Sequence, residues 1–154
     1  MRTIALHELD AVLADLPTSH IVAHRPSARL VVAPVGCFVL VPVADDVADA
    51  VRRSNALAHS ARTAIADHVP WVPFVDALAV GARTTHDDGR IDSFVPVDLL
   101  RHLLTAGPTV VEPKAVACVR RLLADERLDG WMPDPDRADA TIQRCDPAST
   151  LPNR

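Results

Sequence analysis

Apolar residues recur at helical spacing in residues 4–16, where Leu6, Leu9, Val12, Leu13 and Leu16 fall on one stripe. Thr3 stands at the N-cap position and Pro17 closes the segment. A weaker extended stretch at His20–Ala23 follows, ahead of Pro26. Two β-branched runs, Leu30–Val32 and Phe38–Val41, then flank Ala33-Pro34-Val35-Gly36. Pro in second place and Gly in fourth fit a type I turn, because Pro presets φ and Gly tolerates the exit geometry. Both runs are apolar on both faces, so this hairpin belongs in the middle of a sheet.

The longest helix is expected over Asp45–His68, with Val47, Val51, Ser54, Ala58, Ala61 and Ile65 on one stripe and Asp45 and Asp46 at the positive end of its dipole. Trp71–Val80 reads as a second buried strand, entered through Pro70 and Pro73. Gly81–Asp92 reads as a loop turning at Asp88-Gly89, Phe94–Val97 as a short strand and Asp98–Thr105 as a short helix. Glu112–Glu126 is the last helix, with Val116, Val119, Leu122 and Leu123 inward and Pro113 in its first turn. The pattern predicts one α/β domain over residues 1–128. Residues 129–154, rich in Pro and Asp, form a tail expected to be extended or partly disordered.

Composition narrows the function classes. The chain has 154 residues, with 16 Lys plus Arg against 20 Asp plus Glu, a net charge of −4 that argues against a broad nucleic-acid footprint. Two Trp, three Phe and no Tyr remove the stacking platforms of single-strand binders. Lys114 is the only Lys, so the composition is of the high-Arg type found in bacteria. Arg52-Arg53 and Arg120-Arg121 are the candidate phosphate or partner contacts, against the plainer reading of solvated helix faces. Cys37, Cys118 and Cys145 have no spacing that suggests a disulfide framework or a zinc site, and the first two lie in apolar runs. The charged N-terminus is unlike a signal peptide, and the apolar stretch Leu30–Ala44 is short and broken by Pro34, Gly36 and Pro42. A cytoplasmic protein without a membrane partner is expected.

Several short clusters imitate chemistry. Glu112-Pro113-Lys114 spells E-x-K but opens a helix, where Glu and Pro serve the helix start. His86-Asp87-Asp88-Gly89 does not fit a calcium loop, since Thr84 and His86 stand where acidic ligands belong. None of the seven His has partner spacing for a metal, and no Gly-rich phosphate loop or nucleophile elbow occurs. No catalytic residue, metal ligand or cofactor site is assigned.

The combined order does carry a resemblance. Arg29 to Leu40, the helix around Val51-Arg52-Arg53-Ser54-Asn55-Ala56-Leu57, the segment Val69–Val75, Phe94–Val97 and Thr109–Val116 together resemble the nuclease-related domain (NERD) group of the PD-(D/E)xK restriction-endonuclease-like fold, over about residues 4–126. The resemblance implies a central mixed sheet, built on a hairpin and a crossing helix and flanked by helices. It also implies a metal centre with one acidic residue before the first hairpin strand and an acid and a Lys at the end of the second. Those positions are Ala28, Val41 and Val43 here, and the helix position that often holds Gln is Asp49. None of the first three can ligate a hard cation. The expected function is therefore a non-catalytic interaction or structural protein derived from a nuclease-like fold. Its partner would be another protein or a second copy, with Trp71, Phe74, Trp131 and Met132 as candidate contacts, although core packing suits the first two better. The alternatives are a metal-dependent nuclease with migrated residues (Asp76, Asp92 or Glu112) and a nucleic-acid-binding module without cleavage.

Overall fold

The computed structural model describes residues 4–69, 74–82 and 94–135. Helix α1 (Leu6–Ala14) is followed by strands β1 (Ile21–Arg25), β2 (Ala28–Ala33) and β3 (Gly36–Pro42). Helix α2 (Val47–Ala66), strands β4 (Val75–Gly81) and β5 (Phe94–Pro96), helices α3 (Val97–Thr105) and α4 (Pro113–Ala124), and strand β6 (Met132–Pro133) complete the order. The six strands form one mixed sheet in the order β5-β4-β3-β2-β1-β6. The chain is an α/β protein with an open sheet and, among the described residues, four helices.

β1, β2 and β3 form an antiparallel meander. The hairpin expected around Pro34 is present and central, with Ala33 paired to Gly36 across Pro34 and Val35. A side chain at Gly36 would meet the Phe38 ring at 3.1 Å, so the residue after this turn has little room for anything larger. From β3 the chain crosses through α2 and returns as β4, parallel to β3, as a parallel pair requires. α2 begins at Asp46, whose carboxylate accepts a hydrogen bond from Ala48 N at 3.1 Å. It buries Val47, Ala50, Ser54, Ala58, Ala61 and Ile65, while Val51 is half-buried beside them.

Alternation along the strands divides the core in two. Ile21, Ala23, Ala28, Leu30, Val32, Val39, Val41 and Ala79 face α2 and α4, and Trp131 closes that layer. Val22, Val31, Phe38, Leu40, Leu78, Val80 and Val95 face α1 and α3, against Leu9, Leu13, Leu100 and Leu104. Helices therefore cover both faces, which is why β2 and β3 are buried almost throughout and carry one charged residue, Arg29.

Three expectations need correction. Residues 131–135, assigned to the tail, belong to the fold. β6 pairs with β1 through Ala23–Pro133 and His24–Met132, and Trp131 is 2% exposed. A buried indole outweighs the Pro-rich composition around it, because a side chain of that size removes much apolar surface from water. Phe74, expected in the core, is 74% exposed, because β4 starts one residue later. Cys37 is buried as expected, but Cys118 is only half-buried, since its position on α4 turns it towards the His68 carbonyl, 4.0 Å away. Cys145, Trp71, the loop at Asp88-Gly89 and residues 136–154 lie outside the described residues.

Candidate functional site

The antiparallel register that sets Arg29 opposite Leu40 places Ala28 opposite Val41, one step towards the end of the ladder. Val41 stands beside Ala79 of β4. Val43, two residues on, donates its N–H to the Val80 carbonyl at 2.8 Å. All three side chains lie in the layer facing α2, at 0%, 0% and 2% exposure. The positions that the family resemblance marks for chemistry thus share one sheet face. What they form is a dry apolar patch under a helix whose inward positions are mostly Ala and Ser54. Ser54 keeps its hydroxyl satisfied by donating to the Val51 carbonyl at 2.8 Å.

The candidate acids lie elsewhere. Asp49, on α2, accepts from Arg52 Nη2 at 2.9 Å and stands 3.8 Å from Arg53 Nη1. Asp76 is in register with Phe38, so its carboxylate is on the opposite face of the sheet, exposed, three residues back along β4 from Ala79. At about 3.3 Å per residue that is roughly 10 Å from the Val41 level. Partial burial raises its carboxyl above the ordinary range. Burial, with the Asp76 charge second, pushes the Cys37 thiol up to about 12. Glu112 is the exposed N-cap of α4, and the chain just before it is tied to the β2–β3 turn by Val110 N and Val111 N, which donate to the Pro34 carbonyl at 2.7 and 3.0 Å. Asp92 lies outside the described residues, as does the His86–Gly89 cluster. Among the described residues no three His, Cys, Asp or Glu side chains are grouped to hold a metal ion.

The arginines divide between two helices. Arg52 and Arg53 share Asp49 on α2, whereas Arg120 on α4 donates from Nη2 to the Thr18 carbonyl at 3.2 Å. Arg121 is exposed in the last turn of α4. These four do not form one cationic track. Two other arginines, Arg25 and Arg29, are placed by the β1–β2 hairpin. Arg29, 5% exposed, clasps Asp10 of α1 through Nε (2.7 Å) and Nη2 (3.0 Å), and its Nη1 donates to the carbonyls of Arg25 and Ala28, both at 2.8 Å. Arg25 lies on the other face, two residues after Ala23. Its guanidinium stands 5.4 Å from the centroid of the Trp131 ring and against Gly130. Gly130 has φ +86°, and a side chain there would collide with that guanidinium.

An open depression of about 420 Å³ lies at the outer edge of the apolar patch, lined by Arg25, Pro26, Ser27, Ala28, Arg53, Ala56 and Leu57. A second, of about 330 Å³, lies between Ser19, Pro34, Thr109, Val111, Pro113, Val116 and Arg120. No motif in the sequence marks the Arg25 side of the first depression. The signal was period-2 spacing, which puts residue 25 on the face of Ile21 and Ala23.

Of the candidate contact residues, Phe74 and Met132 are exposed, at 74% and 54%, while Trp131 is buried and closes the core. Leu99 and Leu103 add exposed apolar positions one turn apart on α3. No described helix is long and apolar enough to cross a membrane. No family model, curated protein or solved structure matches the chain.

Proposed function

We propose that the chain is a non-catalytic interaction or structural protein, derived from a restriction-endonuclease-like fold of the nuclease-related group whose centre has been replaced by packing. The observation that carries this reading is the burial of Ala28, Val41 and Val43 together on one face beneath α2. A metal-dependent nuclease needs carboxylates and an open coordination position at that place, and here apolar atoms occupy it. The order of helix, hairpin, crossing helix and parallel strand accords with such a fold. Replacing buried charges by well-packed apolar residues is neutral or stabilising, so a domain retained for binding has no energetic reason to keep them. The protein acts in the cytoplasm, on a protein partner or a second copy of itself, through the exposed Phe74 and Met132.

The test is a cleavage assay with Mg²⁺ and with Mn²⁺ on plasmid and single-stranded DNA, run beside the Asp76→Ala variant. The expected result is no cleavage above the metal-free control for either protein. Metal-dependent cleavage that Asp76→Ala abolishes would overturn the reading in favour of a nuclease with migrated residues.

A further inference from the structure

We infer that the depression between Arg25 and Arg53 binds a single phosphate group, as the free ion or on a small ester. Two arginine residues, Arg25 and Arg53, line one open depression of about 420 Å³, within the size range of small-ligand sites. A guanidinium presents a planar fork of donors that matches phosphate oxygens, and two such forks can share one dianion.

Arg25 is held ready for this role. The Trp131 ring and Gly130 fix its guanidinium, so little side-chain freedom remains to be lost on binding. No carboxylate among the described residues pairs with it. Arg53 is held only by the 3.8 Å contact to Asp49, which keeps its shorter bond for Arg52. Exposed Ser27, at the β1–β2 turn, brings a hydroxyl to the rim. Ala28, Ala56 and Leu57 supply an apolar wall beside the two arginines.

One phosphate on a small molecule suits the site better than a nucleic-acid strand. The chain carries a net charge of −4. Of the neighbouring arginines, Arg52 is engaged by Asp49 and Arg120 by the Thr18 carbonyl, which makes both less available to a strand. The site does not depend on whether the patch beside it has chemistry, so its failure would leave the non-catalytic reading standing.

Calorimetric titration of the full chain at low ionic strength tests the proposal, with inorganic phosphate, adenosine 5′-monophosphate, adenosine and a 12-nucleotide single strand as probes. Saturable binding of phosphate and of the monophosphate is expected, without binding of adenosine. Tighter binding of the monophosphate assigns the site to esters, and equal binding assigns it to the free ion. Arg53→Gln, on the helix surface, should weaken the affinity about ten-fold or more, as should Arg25→Gln if its circular dichroism is native. Arg62→Gln, exposed further along α2, should leave the affinity unchanged. The proposal is overturned if neither phosphate nor the monophosphate binds, or if Arg62→Gln weakens binding as much as Arg53→Gln. Preferential binding of the oligonucleotide, with a salt dependence of several phosphates, would also overturn it and point to a nucleic-acid surface.

Discussion

Arg29 places a charge in a site only 5% exposed and keeps all three guanidinium nitrogens occupied, two by Asp10 and one by the carbonyls on either side of the β1–β2 turn. The pair fastens α1 to the sheet, yet nothing in the sequence marked it. The partners stand 19 residues apart, and pairing across a helix–sheet interface leaves no local spacing to read. Cys37 is the opposite case, because an apolar run announced its burial and the structure bears this out. Its titration gives a test. The folded thiol is raised from an ordinary value of 9.0 to about 12, so above pH 9 the unfolded chain loses this proton while the folded chain retains it. Stability from this group is therefore fully present below pH 9 and is lost as the pH rises towards 12. The loss is on the order of 4 kcal/mol over the whole window. Urea midpoints at pH 8 and pH 10.5 should fall more steeply for the native protein than for Cys37→Ala. Equal slopes would mean that the thiol is not shielded as described.

Elements that repeat a strong period were legible, and those that depend on a single contact were not. The hairpin β2–β3 and the helix α2 followed from β-branched runs and a stripe of small residues, because one register alone buries each set. The ends of α2 moved inward by two residues, from Asp45 to Val47 and from His68 to Ala66, since capping and not hydrophobicity fixes a terminus. Asp46 supplies that cap at the N-terminus, where its carboxylate also meets the positive end of the dipole. Asp46→Ala should lower the unfolding free energy by about 1 kcal/mol, seen as a shift of the urea midpoint without a change in slope. No shift would show that the cap contributes nothing measurable. The candidate site divides in the same way. Coplanarity of Ala28, Val41 and Val43 followed from the hairpin alignment, whereas the arginine depression required knowing where the Trp131 segment returns.

At the scale of the molecule, the segment after α4 is a closing piece. Leu128 and Trp131 are both buried in the α2–α4 layer, and β6 adds to β1. Asp134 N donates to the Val22 carbonyl at 3.2 Å, and its carboxylate stands 3.5 Å from His24 Nε2. Removing the indole should therefore act on the whole fold. Trp131→Ala is expected to cost about 3–5 kcal/mol in chemical denaturation, and a loss below 1 kcal/mol would return the segment to the status of a tail. The closure also determines the sheet's borders. Among the described residues, one border is the three-residue strand β5, ending in Pro96, and the other is the two-residue strand β6, ending in Pro133. Proline offers no N–H to an incoming strand, and a border of two or three residues presents almost no template. Chains of this protein held at high concentration should therefore not join through these two short strands, even though the strands inside are among the most apolar segments of the sequence.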